Sequence, residues 1–330
     1  MAPAARSTAA ARAEALVQRG AVVEAYRLLD EAVAGGDGEA AATLAEWRLT
    51  GAFIRRDLAA ARELYGKAAD LGWDDAASRH LALLANGAGG SGRHWREALE
   101  RLAVRREPLA RRQHALLAAM ALDEEGNPAP LPAPVGLHPQ PLIERRPEFL
   151  TPDECRYLID RALPALQPAV VVHPQTGQQV RDPVRRAHGT GFPFVLEDPA
   201  IHTINRRIAA ATGTTYEQGE PLQVLSYVAG EEYKLHSDAL PPGSNQRIAT
   251  FLVALNADYE GGETAFPKLG IAWRGAVGEA LHFRNVDAAG APAAEMWHAG
   301  TPVRRKRKFL LSKWLRAAPL DLSGPPGRPF

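Results

Sequence analysis

The sequence predicts a chain of two unlike parts, an α-helical N-terminal half followed by a mainly β C-terminal domain. Three observations predict it. From about Ala9 to Leu122 the chain is rich in Ala, Leu, Arg and Glu, with apolar residues at helical spacing and almost no strand-forming runs. Between Gly126 and Pro141 the segment GNPAPLPAPVGLHPQP carries six prolines. Beyond it come short apolar and aromatic runs, LQVLSYV, IATFLVAL, EALHFR and KFLLSKWL, separated by Gly, Pro, Asn and Asp turns. The expected organisation is a helical repeat domain over 1–125, a linker over 126–141, a β domain over 142–320 and a tail over 321–330.

The helical half aligns with itself at a shift of 36, which pairs Ala25 with Ala61, Ala32 with Ala68, Gly36 with Gly72, Ala40 with Ala76 and Gly51 with Gly87. Small alanines let the helices of a hairpin approach closely, and glycines stand where a helix must stop and turn. The expectation is a short solenoid, with a generic helical bundle as the alternative. The segment Ala40 to Trp73 resembles a Sel1-type (TPR-like) repeat, which implies a role in holding a protein partner or substrate.

In the linker, prolines remove backbone donors and fix φ, so neither helix nor strand is expected to run through it. Next, TPDECRYLIDRAL opens with Thr151 as a cap and Pro152 at the first helical position, and IHTINRRIAAATG ends on glycine. Two helices are therefore expected to brace the strands.

With 330 residues and a net charge of +1 from 39 basic and 38 acidic side chains, the chain makes no electrostatic case for nucleic acid. The single cysteine, Cys155, excludes an intramolecular disulfide and a thiolate zinc cluster, and it fits a reducing compartment with cytoplasm as the default. The first twenty residues lack a continuous apolar stretch, and no apolar run approaches the roughly 18 residues needed to span a bilayer. Neither export nor a membrane partner is expected.

His236 and Asp238 stand at i and i+2 in YKLHSDAL, and on an extended strand that spacing points both side chains to one face. His298, in MWHAGTPV, is a third ligand candidate. Two histidines and one carboxylate on one face are the set that non-haem Fe(II) oxygenases use, and they leave positions open for other ligands. Lys308 falls ten residues after His298 at the start of KFLLSKWL. Alternation along RRKRKF sends Lys306 and Lys308 to one face and Arg305 and Arg307 to the other, so one inward charge can pair with a buried carboxylate.

From about Glu148 to Arg316 five ordered blocks, EFLTPDECRYLI, GEPLQVLSYVAGEEYKLHSD, RIATFLVALNADYEGGETAFP, GEALHFRN and HAGTPVRRKRKFLLSKW, resemble the catalytic domain of prolyl 4-hydroxylases. The resemblance implies a double-stranded β-helix (jelly roll) with His236, Asp238 and His298 as the catalytic metal ligands and Lys308 on its inner face. It implies Fe(II), the cosubstrate 2-oxoglutarate, O2, and ascorbate as an accompanying reductant. It also implies hydroxylation of a C–H bond, above all of a prolyl residue in a protein or peptide, with release of succinate and CO2.

By the same comparison Tyr227 and Thr250 hydrogen-bond the 2-oxoglutarate, and Arg247 and Tyr233 stand near the substrate mouth. For the last two a structural role is an equal reading, since Tyr233 can pack and Arg247 can cap a strand. GGETAFP reads as a sharp structural turn. Trp273, Trp297 and Trp314 read as core or rim aromatics. DALPPGSNQ and the stretch from Val170 to Gly191 are expected to shape the substrate mouth. Three rival readings differ in their marks. A nucleic-acid demethylase would place its cosubstrate cation at Arg316. An oxygenase acting on a free amino acid or small metabolite is the alternative within the same reaction class. An inert scaffold would have lost one of His236, Asp238, His298 or Lys308.

Overall fold

A computed structural model of the chain describes residues 8–172, 179–181 and 184–324. Seven helices come first: α1 (Ala9–Gln18), α2 (Val22–Ala34), α3 (Gly38–Thr50), α4 (Leu58–Asp70), α5 (Asp74–Asn86), α6 (Trp95–Ala103) and α7 (Pro108–Ala119). Both α2 and α4 have 13 residues and start 36 apart (58 minus 22), and α3 and α5 repeat at the same displacement. The aligned glycines occupy equivalent places. Gly36 and Gly72 follow α2 and α4 with φ of 86° and 89°, and Gly51 and Gly87 cap α3 and α5 in the left-handed region. That is a conformation in which glycine carries no Cβ penalty. Ala25, Ala40, Ala61 and Ala76 are all buried, and they let neighbouring helices close on one apolar core.

Pro128–Pro193 and Ile204–Leu320 form a second compact unit, whereas Phe194–Thr203 and the chain from Asp321 group with the helices. The linear division read from the sequence did not anticipate this grouping. Inside the first unit, Asn86 donates to the Phe194 carbonyl at 2.6 Å, and Val195 is buried in the helical core.

The second unit opens with β1 (Val135–His138) and β2 (Ile143–Arg146), then α8 (Pro152–Ala162), β3 (Gln167–Pro168), β4 (Val170–Val172), β5 (Gln179–Arg181), β6 (Arg185–Arg186) and β7 (His188–Phe192). Helix α9 (Pro199–Thr212) precedes β8 (Leu222–Val228), β9 (Glu232–His236), β10 (Arg247–Ala254), β11 (Glu260–Gly261), β12 (Thr264–Phe266) and β13 (Ile271–Trp273). Last come β14 (Ala280–Arg284), β15 (His298–Gly300), β16 (Val303–Arg305) and β17 (Arg307–Arg316). Strand β1 corrects the reading of the Pro-rich linker as free of strand. Val135 to His138 is a proline-free window between Pro134 and Pro139, and β1 pairs only with β2 at the sheet edge, where missing donors cost little.

The strands form a major sheet in the order β1-β2-β14-β10-β17-β8-β7-β3 and a minor sheet in the order β13-β12-β15-β9-β6, antiparallel throughout. The apolar runs of the sequence become β8, β10, β14 and β17, the strands at the middle of the major sheet. Leu225, Leu252, Leu281, Phe283 and Leu310 from the major sheet share one core cluster with Phe266, Trp273 and Met296 from the minor-sheet side. At the back of the sheet lies α8, whose Thr151 and Glu154 form a reciprocal capping box with Pro152 in the first turn.

Candidate metal centre

Strand pairing brings the ligand candidates together. His236, the last residue of β9, stands directly opposite His298, the first of β15. Asp238 lies two residues past the end of β9, so the His-x-Asp pair straddles a strand end and its carboxylate turns back toward both rings. His236 Nε2 lies 3.6 Å from Asp238 Oδ1, and His298 Nε2 lies 3.5 Å from Asp238 Oδ2. One ligand atom from each of the three falls within 4.8 Å of the others, and among the described residues no fourth His, Cys, Asp or Glu joins them.

Each ring is oriented by its other nitrogen. His236 Nδ1 donates to the Lys234 carbonyl at 2.7 Å and His298 Nδ1 to the Met296 carbonyl at 3.0 Å. Since a carbonyl only accepts, Nδ1 carries a proton in each ring, which leaves Nε2 as the atom that can be offered to a metal. Tyr233 stacks on His236 with ring centroids 3.4 Å apart, and Phe283 meets His298 edge-on at 4.9 Å. The Thr250 hydroxyl donates to Asp238 Oδ2 at 2.6 Å and accepts from Asn285 Nδ2 at 3.0 Å. Burial would raise the Asp238 carboxyl, but His298, His236 and the Thr250 hydroxyl overcome it and hold the group well below the usual carboxylate range. His298 is itself lowered, first by burial and against the pull of Asp238, which keeps the imidazole neutral. Two imidazole Nε2 atoms, one carboxylate and open positions fit a divalent iron and do not fit a closed zinc cage.

Strand β17 supplies the cation. Its alternation turns Lys308, Leu310, Ser312 and Trp314 into the cavity that the trio lines, and Tyr227 faces Lys308 across the β8–β17 pairing. Lys308 is 3% exposed, its Nζ donates to the Gly262 carbonyl at 2.7 Å, and it lies 5.5 Å from the Tyr227 ring centroid. Burial pulls the ammonium down to about 8, with Glu263 acting against the shift. The Tyr227 hydroxyl is raised by burial and stays protonated, able to donate.

The sequence-derived site residues thus fall into two groups. His236, Asp238, His298, Lys308, Tyr227 and Tyr233 line one cavity. Thr250 and Arg247 do not. In this structure the Thr250 hydroxyl gives its single proton to Asp238, so here it supports a ligand. Arg247 makes the contacts of the structural role that the sequence held as an equal reading. It grips both oxygens of Glu220 at 2.6 and 2.9 Å and lies 3.7 Å over the Trp314 ring. Tyr233 combines the two readings, since it lines the cavity while packing on a ligand ring.

Sequence reasoning missed Asn285, Arg185 and Thr264. Asn285 and Thr264 sit beside recognisable motifs, RN after β14 and GGET before β12, but no local pattern marks them as inward-facing. Arg185 lies in the stretch from Val170 to Gly191, of which residues 173–178 and 182–183 fall outside the described residues. In the other expected mouth loop, Gln246 folds back on Leu240, accepting from its N–H and donating to its carbonyl.

Comparison with known proteins agrees with this centre. A family model described as the 2OG-Fe(II) oxygenase superfamily matches residues 222–316, from β8 to the end of β17. Prolyl 4-hydroxylase 5 of Arabidopsis thaliana is 32% identical over 216 residues, covering 58% of this chain and 73% of that protein. Prolyl 4-hydroxylase 1 of the same plant is 35% identical over 188 residues, which are 51% of this chain and 66% of the relative, just under two thirds of its length. A viral collagen prolyl hydroxylase from Paramecium Bursaria Chlorella virus-1, solved as its 2OG complex, is 26% identical, with 53% of this chain and 96% of that one covered at a TM-score of 0.44. On the strength of the family model and of the plant relative covered over 73% of its length, the chain belongs to the prolyl 4-hydroxylase family of 2OG-Fe(II) oxygenases.

Proposed function

We propose that the protein is an Fe(II)- and 2-oxoglutarate-dependent dioxygenase that hydroxylates a prolyl residue in a protein or peptide, releasing succinate and CO2. The observation that carries the reading is the buried His236–Asp238–His298 trio with both Nδ1 atoms tied to carbonyls, sharing one cavity with the buried ammonium of Lys308. Iron with 2-oxoglutarate and O2 supplies an oxidant able to replace C–H by C–OH, chemistry that no side chain here possesses.

The chain's own residues do the positioning. His236, Asp238 and His298 hold the metal on one side and leave the cavity side open. Lys308 holds the far carboxylate of the 2-oxo diacid by a charge-assisted hydrogen bond in a dry site, where such a bond is about twice as strong as a neutral one. Tyr227 lies beside that ammonium with a protonated hydroxyl and is its partner in carboxylate binding. Leu225, Leu252 and Leu310 keep water from the reacting atoms.

The finer architecture belongs to the same proposal. The two facing antiparallel sheets are read as a double-stranded β-helix, and α1 to α7 as a Sel1-like solenoid that holds the protein substrate or a partner. A reducing, cytoplasmic setting is part of the same proposal, in keeping with the single cysteine, Cys155.

The test is 2-oxoglutarate turnover to succinate by anaerobically iron-loaded protein, which needs no identified target. Wild type should show slow turnover, and His236→Ala and Lys308→Ala should show none. Wild type that binds no Fe(II) and makes no succinate would leave the inert-scaffold reading in place.

A further inference from the structure

The turn Gly261–Gly262–Glu263 lies against Lys308 and is tied on its other side to the strand that carries His298. Gly261 and Gly262 both have left-handed backbones, φ of 73° and 71°, and this successive pair aims the Gly262 carbonyl inward at the Lys308 ammonium, 2.7 Å away. No side chain is tolerated at the first position, where a Cβ would lie 2.4 Å from the Pro302 carbonyl oxygen. At the second, a Cβ would lie 3.2 Å from Lys308 Cδ and 3.1 Å from Val303 Cγ2.

The turn is held in place by Thr301 and Pro302. Gly262 N donates to the Pro302 carbonyl at 3.2 Å, Thr301 N donates to the Glu263 carbonyl at 2.8 Å, and the Thr301 hydroxyl donates to Glu263 Oε2 at 2.6 Å. Thr301 stands three residues after His298, just past the end of β15. On either side of the turn, β11 pairs with β16 and β12 pairs with β15. A buried ammonium on a four-carbon stem would otherwise have freedom to swing. Here its depth in the cavity is fixed by a carbonyl whose own position is referred, through Thr301, to a metal ligand.

We infer that Thr301 and Glu263 are positioning residues that, through the Gly261–Gly262 turn, set the distance between the Lys308 ammonium and the metal trio. They thereby determine the chain length of the dicarboxylic 2-oxo acid the site accepts. The inference rests on the proposed function above and deepens it. Carboxylate and keto group at the metal and carboxylate at Lys308 are two anchors, and a ligand one methylene shorter or longer can satisfy both only if one of them moves. Glu263 serves the turn while its carboxylate is engaged by Thr301, so it does not neutralise Lys308 by direct contact.

The experiment measures binding of 2-oxoglutarate, of its four-carbon homologue oxaloacetate and of its six-carbon homologue 2-oxoadipate to the full-length Mn(II)-loaded protein by calorimetry. Steady-state kcat and KM for 2-oxoglutarate are measured with the iron-loaded protein. Thr301→Val should weaken 2-oxoglutarate binding about fivefold or more and narrow its advantage over the homologues. Mn(II) affinity and kcat at saturating cosubstrate should stay within twofold, and Thr301→Ser should restore the wild-type values. Glu263→Gln, which keeps a hydrogen-bond acceptor for Thr301 and removes the charge, should retain chain-length selection, and it serves as the control for charge alone.

Should Thr301→Val lower the melting temperature enough to compromise binding, Glu263→Ala provides the same loss of the pin from the other side. Selectivity and affinity unchanged in a folded Thr301→Val or Glu263→Ala protein overturn the inference. Wild type that binds no 2-oxoglutarate, or Lys308→Ala that binds it as well as wild type, overturns instead the function on which the inference rests.

Discussion

The hydroxyl of Thr250 reaches Asp238 and not the cavity, and that one bond fixes the rotation of the whole carboxylate. Removing it in Thr250→Val should weaken Fe(II) affinity about tenfold, the lower end of what lost outer contacts to metal ligands cost. Thr250→Ser should retain most of it, and competition with a chelator measures both. Lys308 gives a pH signature with two opposite signs. Its ordinary value of 10.5 falls to about 8 in the folded protein, so between those values the unfolded chain binds more protons and folding stability rises with pH. Cosubstrate binding needs the charged ammonium, so 2-oxoglutarate affinity should be flat below pH 8 and fall up to tenfold per unit above it. Lys308→Met should abolish both trends. The ligands and the lysine were legible in the sequence through the ordered blocks that resemble the family; the strand period alone did not suffice, since Asp238 lies past the end of β9 and the chain breaks at Lys306, with φ of 62°, between β16 and β17. The different fate of Thr250 was not legible, because one residue among many inward-facing ones shows its hydrogen-bond partner only once Asp238 has turned back past the end of β9.

At the scale of elements, the double-glycine turn is an exacting piece of backbone in the β unit. A methyl at Gly261 meets a main-chain oxygen that cannot swing away, and the left-handed φ adds its own penalty. Gly261→Ala should therefore destabilise by about 2 kcal/mol or more, read as a drop in denaturation midpoint at unchanged slope. Thr151→Ala, which removes one half of the α8 capping box, should cost about 1 kcal/mol and leave metal binding alone. Elements with a strong local code were readable. The capping box, the apolar runs of β8, β10, β14 and β17 and the equal helices of the 36-residue repeat all appear where periodicity and caps put them. Strand β1 was not readable, since its place depends on a partner, β2, that lends the Pro-flanked window Val135–His138 an edge to pair with. The two-residue strands β6, β11 and the pairings around them carry no periodic signal at all.

For the whole molecule, the grouping of Phe194–Thr203 with the helices means that a cut in the Pro-rich segment is not a clean one. A protein starting at Pro128 would carry Phe194, Val195 and Leu196 without the α5 surface and helical core against which they pack. Such a truncation should bind an apolar dye and aggregate more readily than the full chain, and light scattering with dye fluorescence measures both. No linear reading could foresee this, because nothing in the residues after β7 says which core they join. The consequence reaches back to the way the protein is made. Helices α1 to α7 leave the ribosome first, yet Val195, a residue of their core, is translated only after the edge of the β unit has already emerged. At roughly 5 to 20 residues per second, that interval is on the order of several seconds. The helical domain is thus made before it is complete, since a piece of its core arrives only in the middle of another domain's synthesis.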